Sequence, residues 1–153
     1  MIPFESLITQ FAQNTGLPLE VAADNSCTLE TEGITITLQY RQEHDDIAIF
    51  SPVAMSDDAT GFSAATLKRA LELSYNGVGT HGGFLGLFDD SLILTSFLHL
   101  NGLDADTLAV RILSFADTAQ GLALELADVS QHAHTENADV GIKEFPPGKF
   151  IRI

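Results

Sequence analysis

The chain is 153 residues long and carries seven Lys and Arg against twenty-one Asp and Glu, a net charge of −14. Such a field repels phosphates, which speaks against nucleic acid and anionic membrane surfaces as partners, and no apolar run approaches the ~20 residues that span a bilayer. Hydrophobic residues make up 45% and charged residues only 18%, enough for one core and with a share of uncharged surface that points to a protein partner.

The chain starts Met1-Ile2-Pro3-Phe4-Glu5, without the basic region and apolar run of a secretory signal. Phe4, Leu7, Ile8 and Phe11 recur at helical spacing, so residues 3–14 are predicted as an amphipathic helix that stops at Gly16 and Pro18. Cys27 is the sole cysteine. No internal disulfide can form, and a reducing, cytoplasmic setting is expected, with the thiol packed rather than nucleophilic.

Three strands follow. A short alternation covers Cys27 to Glu30, and Glu32-Gly33 turns the chain. Ile34, Ile36, Leu38 and Tyr40 then share one face of a β-branched run. The third strand is predicted over Ile47–Ser51, ended by Pro52. Loops this short favour an antiparallel meander. After a loop at 56–62, Ser63 is placed to cap a second helix that reaches about Tyr75. Leu67, Ala70, Leu71, Leu73 and Tyr75 make that helix apolar on more than one side, which asks for a second packing partner besides the core.

The glycine-rich segment 76–83 reads as a connector. Phe84–Phe88 is predicted as a strand, Asp89-Asp90 as a turn and Ser91–Leu100 as a long strand. Asp104 or Asp106 caps a third helix, running to about Val129, with Leu108, Ile112, Phe115, Ala119, Leu122 and Leu126 as its buried stripe. The fold class is therefore α+β. One domain over 1–129 has the order α-β-β-β-α-β-β-α, an antiparallel sheet flanked by helices. Residues 130–153 form a tail, polar at first, then basic and apolar. Up to residue 142 the chain has four basic and twenty acidic residues, a net −16. The last eleven positions have three and one, a net +2, with Phe145, Phe150, Ile151 and Ile153 among them. That end could stay mobile, or dock on the acidic body or on a neighbour.

No catalytic constellation assembles from these residues. Gly77, Gly79, Gly82 and Gly83 are not followed by the Lys-Ser or Lys-Thr of a phosphate loop, and they lead into a strand rather than a helix. His44, His81, His99, His132 and His134 are scattered, short of the three or four converging ligands a metal needs. Asp45-Asp46, Asp57-Asp58 and Asp89-Asp90 are loop pairs of the kind that caps amides or stays solvated. No enzyme activity, cofactor or metal is expected. A symmetric pairing of two copies is expected instead, burying Leu71, Tyr75, Phe84, Leu85, Leu87 and Phe88.

In this order and at this length the chain resembles the class I type III secretion chaperones, the family that includes the chaperone of the translocated intimin receptor. The resemblance covers residues 3–129. It is carried most by Tyr75-Asn76-Gly77, by Gly82-Gly83-Phe84-Leu85-Gly86-Leu87-Phe88, by Ser91 to Leu98, and by Asp104-Ala105-Asp106-Thr107-Leu108. The Pro146-Pro147 tail departs from the family pattern. The resemblance implies a homodimer without ATPase activity that binds the extended N-terminal segment of a secreted effector before export. It implies one effector-binding patch on the first helix and adjacent strands: Phe4, Leu7, Ile8, Phe11, Ile34, Ile36 and Leu38. One of the helix positions, Leu7 or Phe11, is expected to stay exposed. The alternative is a small regulatory or adaptor domain of the same fold that binds a folded partner.

Overall fold

The computed structural model describes residues 3–56 and 60–136, with side chains to residue 132. Asp57-Asp58, the side chain of His134 and the basic, apolar end of the chain lie outside the described residues. Helix α1 (Pro3–Thr15) is followed by strands β1 (Ser26–Thr31), β2 (Ile34–Arg41) and β3 (Asp46–Met55). Then come α2 (Ala64–Ser74), a 3-10 turn (Tyr75–Gly77), β4 (Phe84–Phe88), β5 (Ser91–His99) and α3 (Ala105–Glu136). The α-β-β-β-α-β-β-α order is as the sequence predicts.

All five strands form one antiparallel sheet in the order β1-β2-β3-β5-β4. The meander comes from its turns. Glu32 and Gly33 both have positive φ, 52° and 78°, the geometry whose twist matches that of the flanking strands. After α2 the chain returns so that β5, not β4, pairs with β3. Strand β4 is thereby left at the edge, and β1 forms the opposite edge.

One sheet face carries the core. Leu29, Ile36, Leu38, Ile47, Ile49, Leu92 and Leu94 are buried there with Leu108, Ile112, Phe115 and Leu122 of α3. Positions of the other face are more open: Thr35 and Phe97 are exposed, and Thr37 and Phe50 are half-buried. Both helix caps match their predicted residues. Ser63 Oγ accepts from the Thr66 amide at 3.2 Å, and Asp104 Oδ1 accepts from the Thr107 amide at 2.7 Å. Hydrogen bonding from Thr107, its side chain first and its amide second, holds the Asp104 carboxyl below its ordinary range.

Two expectations change. Pro52 does not end β3, which continues to Met55 through a register irregularity between Pro52 and Ala54. Proline lacks an N–H, and a bulge is one place a strand tolerates that loss. Helix α3 runs to Glu136 rather than Val129. The connector glycines serve both backbone freedom and close approach: Gly77 and Gly82 have positive φ, 66° and 91°. A Cβ on Gly79 would meet the Leu73 carbonyl at 2.8 Å, and one on Gly83 the Thr95 carbonyl at 2.6 Å.

Cys27 lies on β1 among the core residues, and burial pushes its thiol pKa up. The thiolate, not the thiol, is the nucleophile. Cys27 is therefore expected to react with an aromatic disulfide reagent at pH 8 only as fast as the protein opens. Labelling at the rate of a free thiol would contradict this.

Candidate partner-binding surfaces

The helical spacing of Phe4, Leu7, Ile8 and Phe11 aims all four at the same place. They are 0%, 6%, 1% and 3% exposed. Phe4 stacks on Tyr40 of β2 with ring centroids 5.8 Å apart. The expectation that Leu7 or Phe11 stays exposed is therefore overturned. Helix α1 is covered by the sheet on one side and by α3 beside it, so its whole apolar stripe is core. Ile36 and Leu38 are fully buried as well. Of the seven residues expected to meet a partner, only Ile34 is even half-exposed.

What this end of the molecule does offer is the outer edge of β1. Among the described residues strand β1 pairs with β2 alone. The segment from α1 to β1 runs nearby, with Leu17 exposed and Leu19 and Val21 half-buried against the core. A free edge presents unpaired amides and carbonyls, and an extended chain can satisfy them.

The opposite edge is more apolar. Among the described residues strand β4 pairs with β5 alone. Leu71, Tyr75, Leu87 and Phe88 are each at least 59% exposed, Phe84 is 44% exposed and Leu85 is half-buried. The six residues expected at a subunit interface thus gather on α2, the turn after it and β4. Contact between α2 and β4 is fixed by the Leu85 amide, which donates to Ser74 Oγ at 3.0 Å. Val78, 76% exposed, belongs to the same region and was missed. It sits among glycines, where no periodicity marks a surface. Contiguous exposed apolar patches mark interaction sites.

Polar side chains mostly serve the fold. Arg41 donates from Nε and Nη2 to Asp46 at 2.7 and 2.6 Å while its guanidinium lies 3.9 Å over the Phe97 ring. The bond from Arg41 holds the Asp46 carboxyl below its ordinary range despite its burial. Arg69 joins α2 to α3 through Glu125 and also pairs with Glu72. His44, His81 and His99 are all exposed. Among the described residues no three His, Cys, Asp or Glu side chains gather as a metal site would require. No described helix is long and apolar enough to cross a membrane.

The model of the Tir chaperone protein (CesT) family matches residues 6–123. No curated protein sequence matches the chain. Among solved structures it resembles a chain of the ExsC–ExsE complex, with 14% identity, TM-score 0.68 and coverage of 80% of this chain and 92% of that one. The HopA1–SchA chaperone–effector complex gives 14% identity, TM-score 0.66 and coverage of 80% and 94%. The Yersinia pestis type III secretion chaperone SycH, in complex with a fragment of YscM2, gives 20% identity, TM-score 0.60 and coverage of 78% and 98%. At these identities the likeness is one of fold.

Proposed function

The chain belongs to the Tir chaperone protein (CesT) family, and on that premise we propose that it is a cytoplasmic chaperone for a type III secretion effector. It holds the effector's N-terminal segment extended and competent for export, without catalysis or cofactor. The observation that carries this reading is a sheet with two edges, β1 and β4, that are unpaired among the described residues, each beside apolar side chains that no described residue covers. An extended polypeptide satisfies both needs at once: its backbone completes a ladder, and its apolar residues fill the adjoining surface.

Two edges divide the labour. The β4 edge, with Leu71, Tyr75, Phe84, Leu87 and Phe88, pairs two copies of the chain about a two-fold axis. The β1 edge, with Leu17, Leu19, Val21 and Ile34, receives the effector. Resemblance to a chain of the HopA1–SchA chaperone–effector complex and to a chain of the SycH–YscM2 fragment complex supports this reading. Ordering an extended segment costs conformational freedom, so several apolar anchors are required to offset it.

Co-expression with a secreted protein encoded beside this chain tests the reading. The expected product is a complex of two chaperone chains and one effector, unchanged by ATP. A partner captured only when folded would instead make the chain a regulatory adaptor.

A further inference from the structure

Strand β5 is longer than its outer neighbour. Strand β3 pairs with it as far as His99, whereas β4 pairs with it only as far as Thr95. From Ser96 to His99 the sheet is therefore paired on one side only, among the described residues. Four residues at about 3.3 Å each leave room for a short length of extended chain. An open groove of about 410 Å3 lies here, walled by β5, by Arg111 and Thr107 of α3, and by His81 of the glycine-rich turn.

The groove's chemistry differs from the rest of the molecule. Twenty-one Asp and Glu make the chain strongly acidic, yet among the described residues no carboxylate lines this groove, while Arg111, His81 and His99 do. Among the described residues Arg41 and Arg69 are held in ion pairs and Arg111 is not. Asp46, beside His99 in the β3–β5 register, is already occupied by Arg41. The ring of His81 is fixed in place. Thr118 gives its hydroxyl proton to the Ser114 carbonyl, so its oxygen accepts from His81 Nδ1 at 2.8 Å.

We propose that Ser96–His99 is a second strand-addition site, taking an extended acidic peptide whose carboxylate pairs with the Arg111 guanidinium. Ser96 and Leu98 share the helix-facing side of β5 with Leu94, and Phe97 points to the opposite face. A strand added here alternates in the same way. Its side chains on the helix side meet Arg111, and those on the other side meet the exposed ring of Phe97. The preferred sequence therefore alternates an acidic with an apolar residue. This peptide preference stands whether or not the chain's partner is a secretion effector.

The probe is a capped Thr-Val-Glu-Val-Thr peptide, titrated into the full-length protein and followed through backbone amide NMR shifts. The amides of 96–99 are expected to move, and the Gln-centred peptide to bind about tenfold more weakly, because a charge-assisted bond becomes a neutral one. Arg111→Gln, at an exposed position, should erase that difference without changing the melting temperature. Equal affinities for the Glu and Gln peptides would overturn the proposal. Shifts confined to β1 or β4 would do the same, as would identical shifts from inorganic phosphate at matched concentration.

Discussion

Replacing Leu87 with Asp is expected to convert the proposed dimer into a folded monomer. Leu87 is 59% exposed on an edge strand, so the isolated subunit loses little when it becomes polar. In a two-fold interface the substitution counts twice. If each copy acts as a hot spot of about 2 kcal/mol, the combined loss is about 4 kcal/mol, roughly a thousandfold in the dimer dissociation constant. Light scattering at micromolar concentration should give half the wild-type mass, with the far-ultraviolet spectrum unchanged. Leu71→Asp, on the neighbouring helix, should behave alike. An unchanged mass for both variants would place the interface away from α2 and β4.

Changes in α1 are expected to act on stability instead. Phe4 is fully buried and stacked on Tyr40. Phe4→Ala removes an aromatic ring and leaves a cavity, a loss of about 3–5 kcal/mol. That is a large share of the 5–15 kcal/mol by which a typical domain is stable. It should appear as a lower denaturant midpoint with an unchanged slope. Leu7→Glu would bury a carboxylate without a partner and should be at least as damaging. A stable, folded Leu7→Glu protein would mean that α1 swings away from the sheet and exposes its stripe.

These two outcomes show where the sequence was informative. Phe84-Leu85-Gly86-Leu87-Phe88 is apolar at successive positions, against the period of two that a half-buried strand needs. The excess had to face something other than the core, and Phe84, Leu87 and Phe88 are indeed exposed. Caps and turns are local chemistry, so Ser63, Asp104 and Glu32-Gly33 could be placed without tertiary knowledge. The spacing of α1 was equally clear, but spacing does not say how much of a stripe is covered. Helix α3 lies against α1 from about ninety residues away, with Asn14 Nδ2 donating to Asp106 Oδ1 at 3.5 Å. No local pattern could announce that cover. The same limit hid the insertion of β5 beside β3 and the groove at Ser96–His99. His81, Phe97 and Arg111 come from three separate elements and meet only because β4 stops short.

The end of α3 illustrates a different limit. Residues 130–136 are polar and give no apolar stripe, yet they continue the helix. Helix propagation costs little once a long nucleus exists. The boundary between domain and tail therefore cannot be read from the loss of hydrophobic periodicity at Val129.

Limited proteolysis of the chain bound to its effector tests the account most directly. The account predicts that a contiguous N-terminal stretch of the effector survives digestion with the chaperone. It should show no helix or sheet of its own when released, while effector sequence beyond it is cut at the rate of the free protein. Protection of a compact, independently folded effector domain, with the N-terminal segment digested first, would contradict it.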